Sequence, residues 1–247
     1  MRVRVLHLSR LRERSHAVRV RAADGPGEGW YPSRMTTLLD GARELGIELT
    51  AEQAEKLVAH LDLLDDWNTR INLTAIRERP QQITKHLLDS LTMLQWLQGP
   101  RIADIGSGAG FPGIPLAIVA PQMHFALVES VGKKCRFLEE ARDSLGLANV
   151  EVVQSRAETY KPEQRFDTVL ARAVGPVADL VKFAGGLVAG GGRFLAMKGR
   201  YPEDELAKKL NGWKVAAVHK LQVPGLDEER HLVELIRSHD RKTGDRK

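Results

Sequence analysis

The sequence has little of what builds disulfide-rich, zinc-binding or membrane-spanning proteins. It has one cysteine, Cys135, among 247 residues, which excludes an internal disulfide and a cysteine-rich zinc site. No run of about 18 apolar residues occurs, which excludes a spanning helix. The apolar share of 43% and charged share of 28% are ordinary for a globular protein with a substantial core. A single cysteine fits a reducing compartment, so we expect a cytoplasmic protein with no membrane partner.

Positive charge is concentrated at the N-terminus. Residues 1–34 contain eight arginines, no lysine and three acids, which account for the whole formal net charge of +5. Residues 35–247 are therefore formally neutral. Any binding of nucleic acid by the folded part must come from local basic clusters rather than from a general field.

Residues 1–34 are predicted to lie outside the fold. They show no sustained apolar period and contain the Gly/Pro-rich break Asp24–Gly29, whereas Met35 opens an amphipathic pattern. We expect a disordered extension or an upstream translation start, with Met35 as the true first residue. An RNA-binding basic arm and an Arg-rich targeting peptide are the alternatives. The charged tail 239–247 is expected to fray.

Residues 35–99 are predicted to form a helical N-terminal region. Apolar residues recur at helical spacing from Leu38 until Gly46 ends the run. Thr50 and Gln53 form a capping box for a longer second helix. A third helical pattern follows Pro80, before a Gly-Pro break at residues 99–100.

Residues 100–238 are predicted to form an α/β domain with a Rossmann-like, mostly parallel seven-stranded sheet. Strand and helix patterns alternate, which indicates parallel strands covered on both faces. The last two strands have only the turn Pro224–Glu229 between them, which predicts an antiparallel pair. Strands are expected near residues 101–105, 124–128, 150–154, 166–171, 193–198, 213–223 and 231–237. Helices are expected near residues 112–120, 132–146, 175–188 and 203–210.

A glycine-rich turn follows the first predicted strand, in Asp104-Ile-Gly-Ser-Gly-Ala-Gly110. Such glycines allow sharp bends and close approach to a ligand, and amides at the following helix start can bind an anion. Glu129 ends the next strand, 23 residues after Gly106. A carboxylate there can accept hydrogen bonds from ribose hydroxyls.

Two cofactors compete for this turn, and a tight turn without a ligand is the third alternative. A dinucleotide needs Gly-x-Gly-x-x-Gly, but Phe111 stands at the third glycine position and Gly110 lies one place early. The spacing Asp-x-Gly-x-Gly-x-Gly from Asp104 is the S-adenosylmethionine pattern. The turn therefore favours S-adenosylmethionine over a nicotinamide.

Several segments beyond this turn resemble one family. The chain is similar, from about Met35 to Arg237, to the ribosomal RNA small subunit methyltransferase G family, also called glucose-inhibited division protein B. The matching segments are Trp67–Thr74, His86–Leu91, Asp104–Ile118, Lys133-Lys134, Ser155–Glu158, Arg172-Ala173, Lys198-Gly199 and His231–Ile236.

The resemblance implies a class I S-adenosylmethionine methyltransferase with an N-terminal helical cap. It implies methyl transfer to N7 of a guanine in 16S ribosomal RNA, with that RNA or the small ribosomal subunit as partner. We expect a monomer. Implied cofactor contacts are Gly106, Phe111, Ala157, Glu158 and Arg172, beside Glu129 from the pattern above. A surface carboxylate is the alternative for Glu158, and a structural ion pair for Arg172.

No catalytic acid or base is expected, because guanine N7 carries an in-plane lone pair and no proton. Rate would come from alignment and electrostatics. Cytosine methylation would need a cysteine nucleophile, but Cys135 is expected to pack on a helix. His86 and Asp89 are expected to hold the helical cap to the sheet, with no metal site. Methylation of a small molecule or protein, and a non-catalytic RNA-binding module, stay open.

Local basic residues are the candidates for RNA phosphates. Those after strand ends are expected at the same rim as Gly106, although each alone could be a solvated charge. Trp67 could stack a base, but its helical period favours the core. The phosphate candidates are Arg77, Arg79, Lys85, Lys133, Lys134, Arg136, Lys198 and Arg200.

Overall fold

The computed structural model describes residues 30–238. Predictions for residues 1–29 and 239–247 lie outside the described residues. The first helix begins at Trp30, five residues before the predicted start at Met35. No helix in the described part of the chain is long and apolar enough to cross a membrane.

The N-terminal region is a helical cap, which we define as residues 30–97. The Thr50 capping box is confirmed: the Gln53 amide donates to Thr50 Oγ1 at 3.2 Å, and the Thr50 amide donates to Gln53 Oε1 at 3.0 Å. The third predicted helix is irregular, with a π-helical stretch in its middle. The cap comprises α1 (Trp30–Glu44), α2 (Ala51–Trp67), α3 (Arg79–Gln82), the π-helical stretch (Ile83–Leu88), α4 (Asp89–Leu91) and a 3₁₀ turn (Leu94–Trp96).

The remainder is a seven-stranded sheet in the order β3-β2-β1-β4-β5-β7-β6. Neighbours from β3 to β5 are parallel, and β7 runs antiparallel to both β5 and β6. The predicted antiparallel final pair is therefore confirmed. The strands are β1 (Arg101–Ile105), β2 (His124–Glu129), β3 (Val150–Gln154), β4 (Phe166–Arg172), β5 (Val188–Lys198), β6 (Trp213–Leu221) and β7 (Arg230–Arg237). The helices are α5 (Gly113–Val119), α6 (Gly132–Ser144), α7 (Val177–Ala184) and α8 (Glu203–Leu206).

Strand β5 begins at Val188, five residues earlier than predicted. The strand continues through three consecutive glycines at 190–192. A Cβ at Gly192 would lie 2.6 Å from the carbonyl oxygen of Asp167 on β4. The glycine is thus required by close strand approach rather than by a turn.

Both faces of the sheet are covered. On one face, α2 of the cap packs on α5 and α6, and Leu57, Leu61 and Leu64 are fully buried there. Trp67 is half-buried with its ring edge-on to Phe137, centroids 5.9 Å apart, which agrees with a core role. On the other face, α7 covers β4 and β5 in a second apolar cluster. This arrangement sets the cap beside the carboxyl edge of the sheet.

Candidate cofactor and acceptor site

A cleft of about 900 Å³ opens between the helical cap and the carboxyl ends of β1, β4 and β5. Its floor includes the turn Gly106–Ala109 after β1, Arg172 at the end of β4, and Lys198 at the end of β5. Strand order reverses between β1 and β4. Open α/β sheets bind ligands at such a switch point, so the cleft is the candidate site.

The turn after β1 needs glycine for two different reasons. Gly106 has φ +67°, and an added Cβ would lie 3.1 Å from Val174 Cγ2, so a side chain would be strained and would crowd the cleft. Gly110 has φ +81°, and its Cβ would lie 2.4 Å from Ile114 Cδ1 in α5. The first glycine keeps room at the cleft, and the second allows the turn to pack on α5.

Asp104 connects the end of β1 to the start of α5 through a buried hydrogen bond. Its side chain is buried, and its Oδ2 accepts a hydrogen bond from the Gly113 amide at 3.1 Å. The Ser107 hydroxyl donates to the Asp104 carbonyl at 2.8 Å. Burial raises the pKa of Asp104 to about 6. This aspartate therefore organises the turn without lining the cleft.

Glu129 lies where the sequence predicts, at the end of β2 beside the glycine turn. It is buried, and its carboxylate accepts from the Gly108 amide at 3.1 Å and from the Val131 amide at 2.9 Å. The carboxylate is thus set against the turn, although it does not itself line the cleft.

Ala157 and Glu158 lie in the loop after β3, and neither lines the cleft. Ala157 is buried in the second apolar cluster, whereas Glu158 is exposed. The loop starts next to Glu129, since the Ser155 amide donates to the Glu129 carbonyl at 3.0 Å. The structure therefore brings Gly106, Phe111 and Arg172 together in the cleft, whereas Glu129, Ala157 and Glu158 do not line it.

The ring of Phe111 contacts two histidines. Its centroid is 4.5 Å from that of His86 in a stacked arrangement and 4.7 Å from that of His60. Arg172 approaches the same ring, with Cζ 5.4 Å from the centroid. Phe111 thus joins the cap, the glycine turn and β4. Sequence reasoning missed His60, although its place between Leu57 and Leu64 on the apolar face of α2 signals burial.

Both histidines are neutral at ordinary pH. Burial lowers the pKa of His60 to about 4, and its Nε2 lies 3.0 Å from the Ala109 carbonyl. Burial, with Arg172 and His60 nearby, lowers the pKa of His86 to about 3, and its Nε2 lies 2.9 Å from Thr74 Oγ1. These contacts fit structural roles, in agreement with the expectation that His86 ties the cap to the sheet.

Arg172 is both ion-paired and exposed to the cleft. Its Nη1 donates to Asp89 Oδ2 at 2.9 Å and to the Lys85 carbonyl at 3.0 Å. Asp89 also accepts from Arg230 Nε at 3.1 Å. The expectation that Asp89 holds the cap to the sheet is confirmed, through β4 and β7. The structural ion pair considered for Arg172 exists, and the residue still lines the cleft.

Residues 53–233 match the rRNA small subunit methyltransferase G family, GidB. The chain belongs to this family. It is 46% identical over 208 residues to the ribosomal RNA small subunit methyltransferase G of Marinobacter nauticus, covering 84% of this chain and 97% of that protein. It is 48% identical over 207 residues to that of Aromatoleum aromaticum, covering 82% and 98%.

Solved structures with low sequence identity share the fold. The glycopeptide N-methyltransferase MtfA, complexed with S-adenosylmethionine, superposes with a TM-score of 0.54 at 11% identity, covering 62% of this chain and 87% of its own. The magnesium protoporphyrin IX methyltransferase of Synechocystis PCC 6803 gives 0.52 at 15% identity, covering 72% and 97%. The fold of this methyltransferase G family member is thus the Rossmann-like class I methyltransferase fold, as expected.

Two basic candidates of this family member line the cleft, and both are paired with acids. Lys85 Nζ lies 2.6 Å from Glu228 Oε1, and Lys198 Nζ lies 2.7 Å from Glu205 Oε2. The prediction that Arg79 contacts an RNA phosphate is wrong, because Arg79 is buried and paired with Asp62 and Asp65 in the cap. The candidates that do not line the cleft are the exposed Arg77, Lys133, Arg136 and Arg200 and the half-buried Lys134.

Cys135 is buried on α6, and its thiol donates to the Glu129 carbonyl at 3.3 Å. Burial, together with Glu129, raises the pKa of this thiol. A buried thiol with a raised pKa is a poor nucleophile, as expected for a packing residue. Within residues 30–238, no group of three or more potential ligands could hold a metal ion.

Proposed function

We propose that this chain transfers a methyl group from S-adenosylmethionine to N7 of a guanine in 16S ribosomal RNA. The observation that carries the proposal is likeness over most of its length to proteins named ribosomal RNA small subunit methyltransferase G. The cleft lies at the switch point of the sheet, where open α/β sheets bind their ligands. The chain acts as a monomer in the cytoplasm, on 16S RNA or the small subunit.

The residues around the cleft fit the cofactor. The absent side chain of Gly106 leaves room at the turn, and Arg172 offers a cation to the carboxylate of the methionine part. Glu129, which lies beside the turn at the end of β2, would hold the ribose, and Ala157 and Glu158 in the loop after β3 would contact the adenine. Phe111 stacks on His86, and this contact stabilises the wall of the cleft that both residues line. When bound, the cofactor supplies an electrophilic methyl group on a sulfonium.

Transfer to guanine N7 requires no proton transfer by the protein. N7 has a lone pair in the ring plane and needs no base, and His60 and His86 stay neutral because their pKa values are about 4 and about 3. The guanine becomes positive as it is methylated, so free cations beside it would oppose transfer. Pairing of Lys85 with Glu228 and Lys198 with Glu205 limits that repulsion.

The test is transfer of labelled methyl from S-adenosylmethionine to small ribosomal subunits from cells lacking this protein. Nucleoside analysis is expected to find the label in 7-methylguanosine. The target guanine should lie in an unstacked, single-stranded region, where bases are accessible to proteins. Label in cytosine or in ribosomal protein would contradict the proposal.

A further inference from the structure

One buried carboxylate lies between two arginines at the wall of the cleft. The side chain of Asp89 is 3% exposed, and its two oxygens bind Arg172 on β4 and Arg230 on β7, at 2.9 and 3.1 Å. A buried charge is costly unless it is paired and hydrogen-bonded. Both partners come from the sheet, whereas Asp89 begins α4 of the cap.

We infer that Asp89 is a positioning residue that holds Arg172 toward the cofactor and Arg230 toward the RNA. This inference rests on the proposed function, and it assigns Arg230, which the sequence did not single out, to the acceptor side.

Arg172 is fixed from three directions. Asp89 and the Lys85 carbonyl both bind its Nη1, and the face of Phe111 lies beside the guanidinium. Among residues 30–238, no further hydrogen bond engages its Nη2 or Nε. The rigid fork of a guanidinium keeps these groups in one plane, so holding Nη1 aims the remaining donors at the cleft, which Arg172 lines.

Arg230 binds one buried and one exposed carboxylate, and its Nη1 also donates to the Glu229 carbonyl at 2.8 Å. Its Nε binds Asp89, whereas its Nη2 lies 3.1 Å from Glu228 Oε2, and the Glu228 side chain is 52% exposed. Glu228 also binds Lys85. Exposed ion pairs contribute little and exchange readily. An RNA phosphate can therefore take the place of Glu228 on Lys85 and Arg230, while Asp89 keeps Arg230 in position.

Asp89 also reduces the net positive charge at this wall of the cleft. It offsets one of two guanidinium charges at short range, and without it the two cations would repel each other. Asp89→Asn keeps the size of the side chain but removes that charge. Arg172 would then lose its ionised partner, and its Nη2 and Nε donors would no longer be held toward the cleft.

The experiment titrates S-adenosylhomocysteine into wild type, Asp89→Asn and Asp65→Asn, with thermal unfolding of each. Asp65 pairs with Arg79 in the cap and does not line the cleft, so it is a matched control. We expect Kd to rise about tenfold for Asp89→Asn, as for loss of a charge-assisted hydrogen bond. Asp65→Asn should lower Tm while Kd stays within about twofold, a shift too small to count as a lost hydrogen bond.

Arg230→Gln tests the acceptor half and does not depend on whether Asp89→Asn folds. This variant should raise KM for small subunits several-fold, and the slope of log K for RNA binding against log salt concentration should become about one unit shallower. The Kd for S-adenosylhomocysteine should not change. An Asp89→Asn variant that binds S-adenosylhomocysteine like wild type, or an Arg230→Gln variant with unchanged KM and salt dependence, overturns the inference. Failure of wild type itself to bind the probe would instead overturn the proposed function.

Discussion

The rings of Phe111 and His86 stack with centroids 4.5 Å apart and planes at 12°. Phe111 belongs to the glycine-turn segment and His86 to the helical cap, so this pair joins the two walls of the cleft. The stack depends on a neutral imidazole in a buried place. The shape of the site is therefore linked to the protonation of buried histidines.

Stability should fall as the pH drops below about 6.5. The folded protein lowers the pKa of His60 to about 4, whereas the unfolded chain has the ordinary value of 6.5. Above 6.5 both states are neutral there, and below it only the unfolded state gains the proton. From pH 7 to pH 5, His60 alone should cost about 2 kcal/mol of the free energy of unfolding.

Urea unfolding of wild type and His60→Gln at pH 7 and pH 5 measures this effect. Glutamine keeps a donor for the Ala109 carbonyl but does not titrate in this range. The variant should lose about 2 kcal/mol less than wild type between the two pH values. Equal losses in both proteins would refute the assignment of His60 as a buried neutral histidine.

Gly106→Arg should abolish cofactor binding without unfolding the sheet. The new side chain would begin 3.1 Å from Val174 Cγ2 and project at the cleft. Gly46→Arg is the matched control, because Gly46 also has positive φ, +74°, but has open space around it at the end of α1. Both should cost about 1–2 kcal/mol of stability through backbone strain, measured by urea unfolding.

Isothermal titration with S-adenosylmethionine then separates the two arginine variants. Only Gly106→Arg should lose binding. Retention of wild-type affinity by Gly106→Arg would remove the glycine turn from the cofactor site.

Glu129→Ala should weaken S-adenosylmethionine binding by about 1–3 kcal/mol, the range for charge-assisted hydrogen bonds. In the proposed function the ribose hydroxyls would lose their acceptor, and the Gly108 and Val131 amides would lose theirs. Titration calorimetry of wild type, Glu129→Ala and Glu139→Ala measures it, since Glu139 is exposed on α6. Equal affinities in all three proteins would exclude Glu129 from the site.

Cys135→Ala should leave methyl transfer within about twofold of wild type, because transfer to N7 needs no protein nucleophile. The buried thiol contributes packing and one weak hydrogen bond to the Glu129 carbonyl. A cost of about 1 kcal/mol in stability is expected. A variant that folds but no longer transfers the methyl group would point to thiol chemistry.

The sequence predicted the sheet well because its signals are local. Seven apolar runs, the Thr50 capping box and the turn before β7 each report on a few neighbouring residues. The errors fell where distant parts of the chain decide. Strand β5 includes Gly192, where the close approach of β4 leaves no room for a side chain, and the third cap helix contains a π-helical stretch.

The position of three candidate site residues was also predictable in outline, because Gly106 follows β1 and Glu129 and Arg172 end β2 and β4, at one edge of a parallel sheet. The pairing partners were not. Asp89 and Arg230 are 141 residues apart, and no spacing rule connects them. In the sequence, His60 is one residue of an apolar helix face, and its contact with Phe111 joins parts of the chain that no local pattern connects.

A crystal structure of the chain with S-adenosylhomocysteine tests the central claim most directly. The ligand should occupy the cleft at the carboxyl ends of β1 and β4, with its methionine part against the Gly106 turn and Arg172 and its ribose on Glu129. A ligand bound elsewhere, or a cleft that stays empty at saturating ligand, would contradict the account.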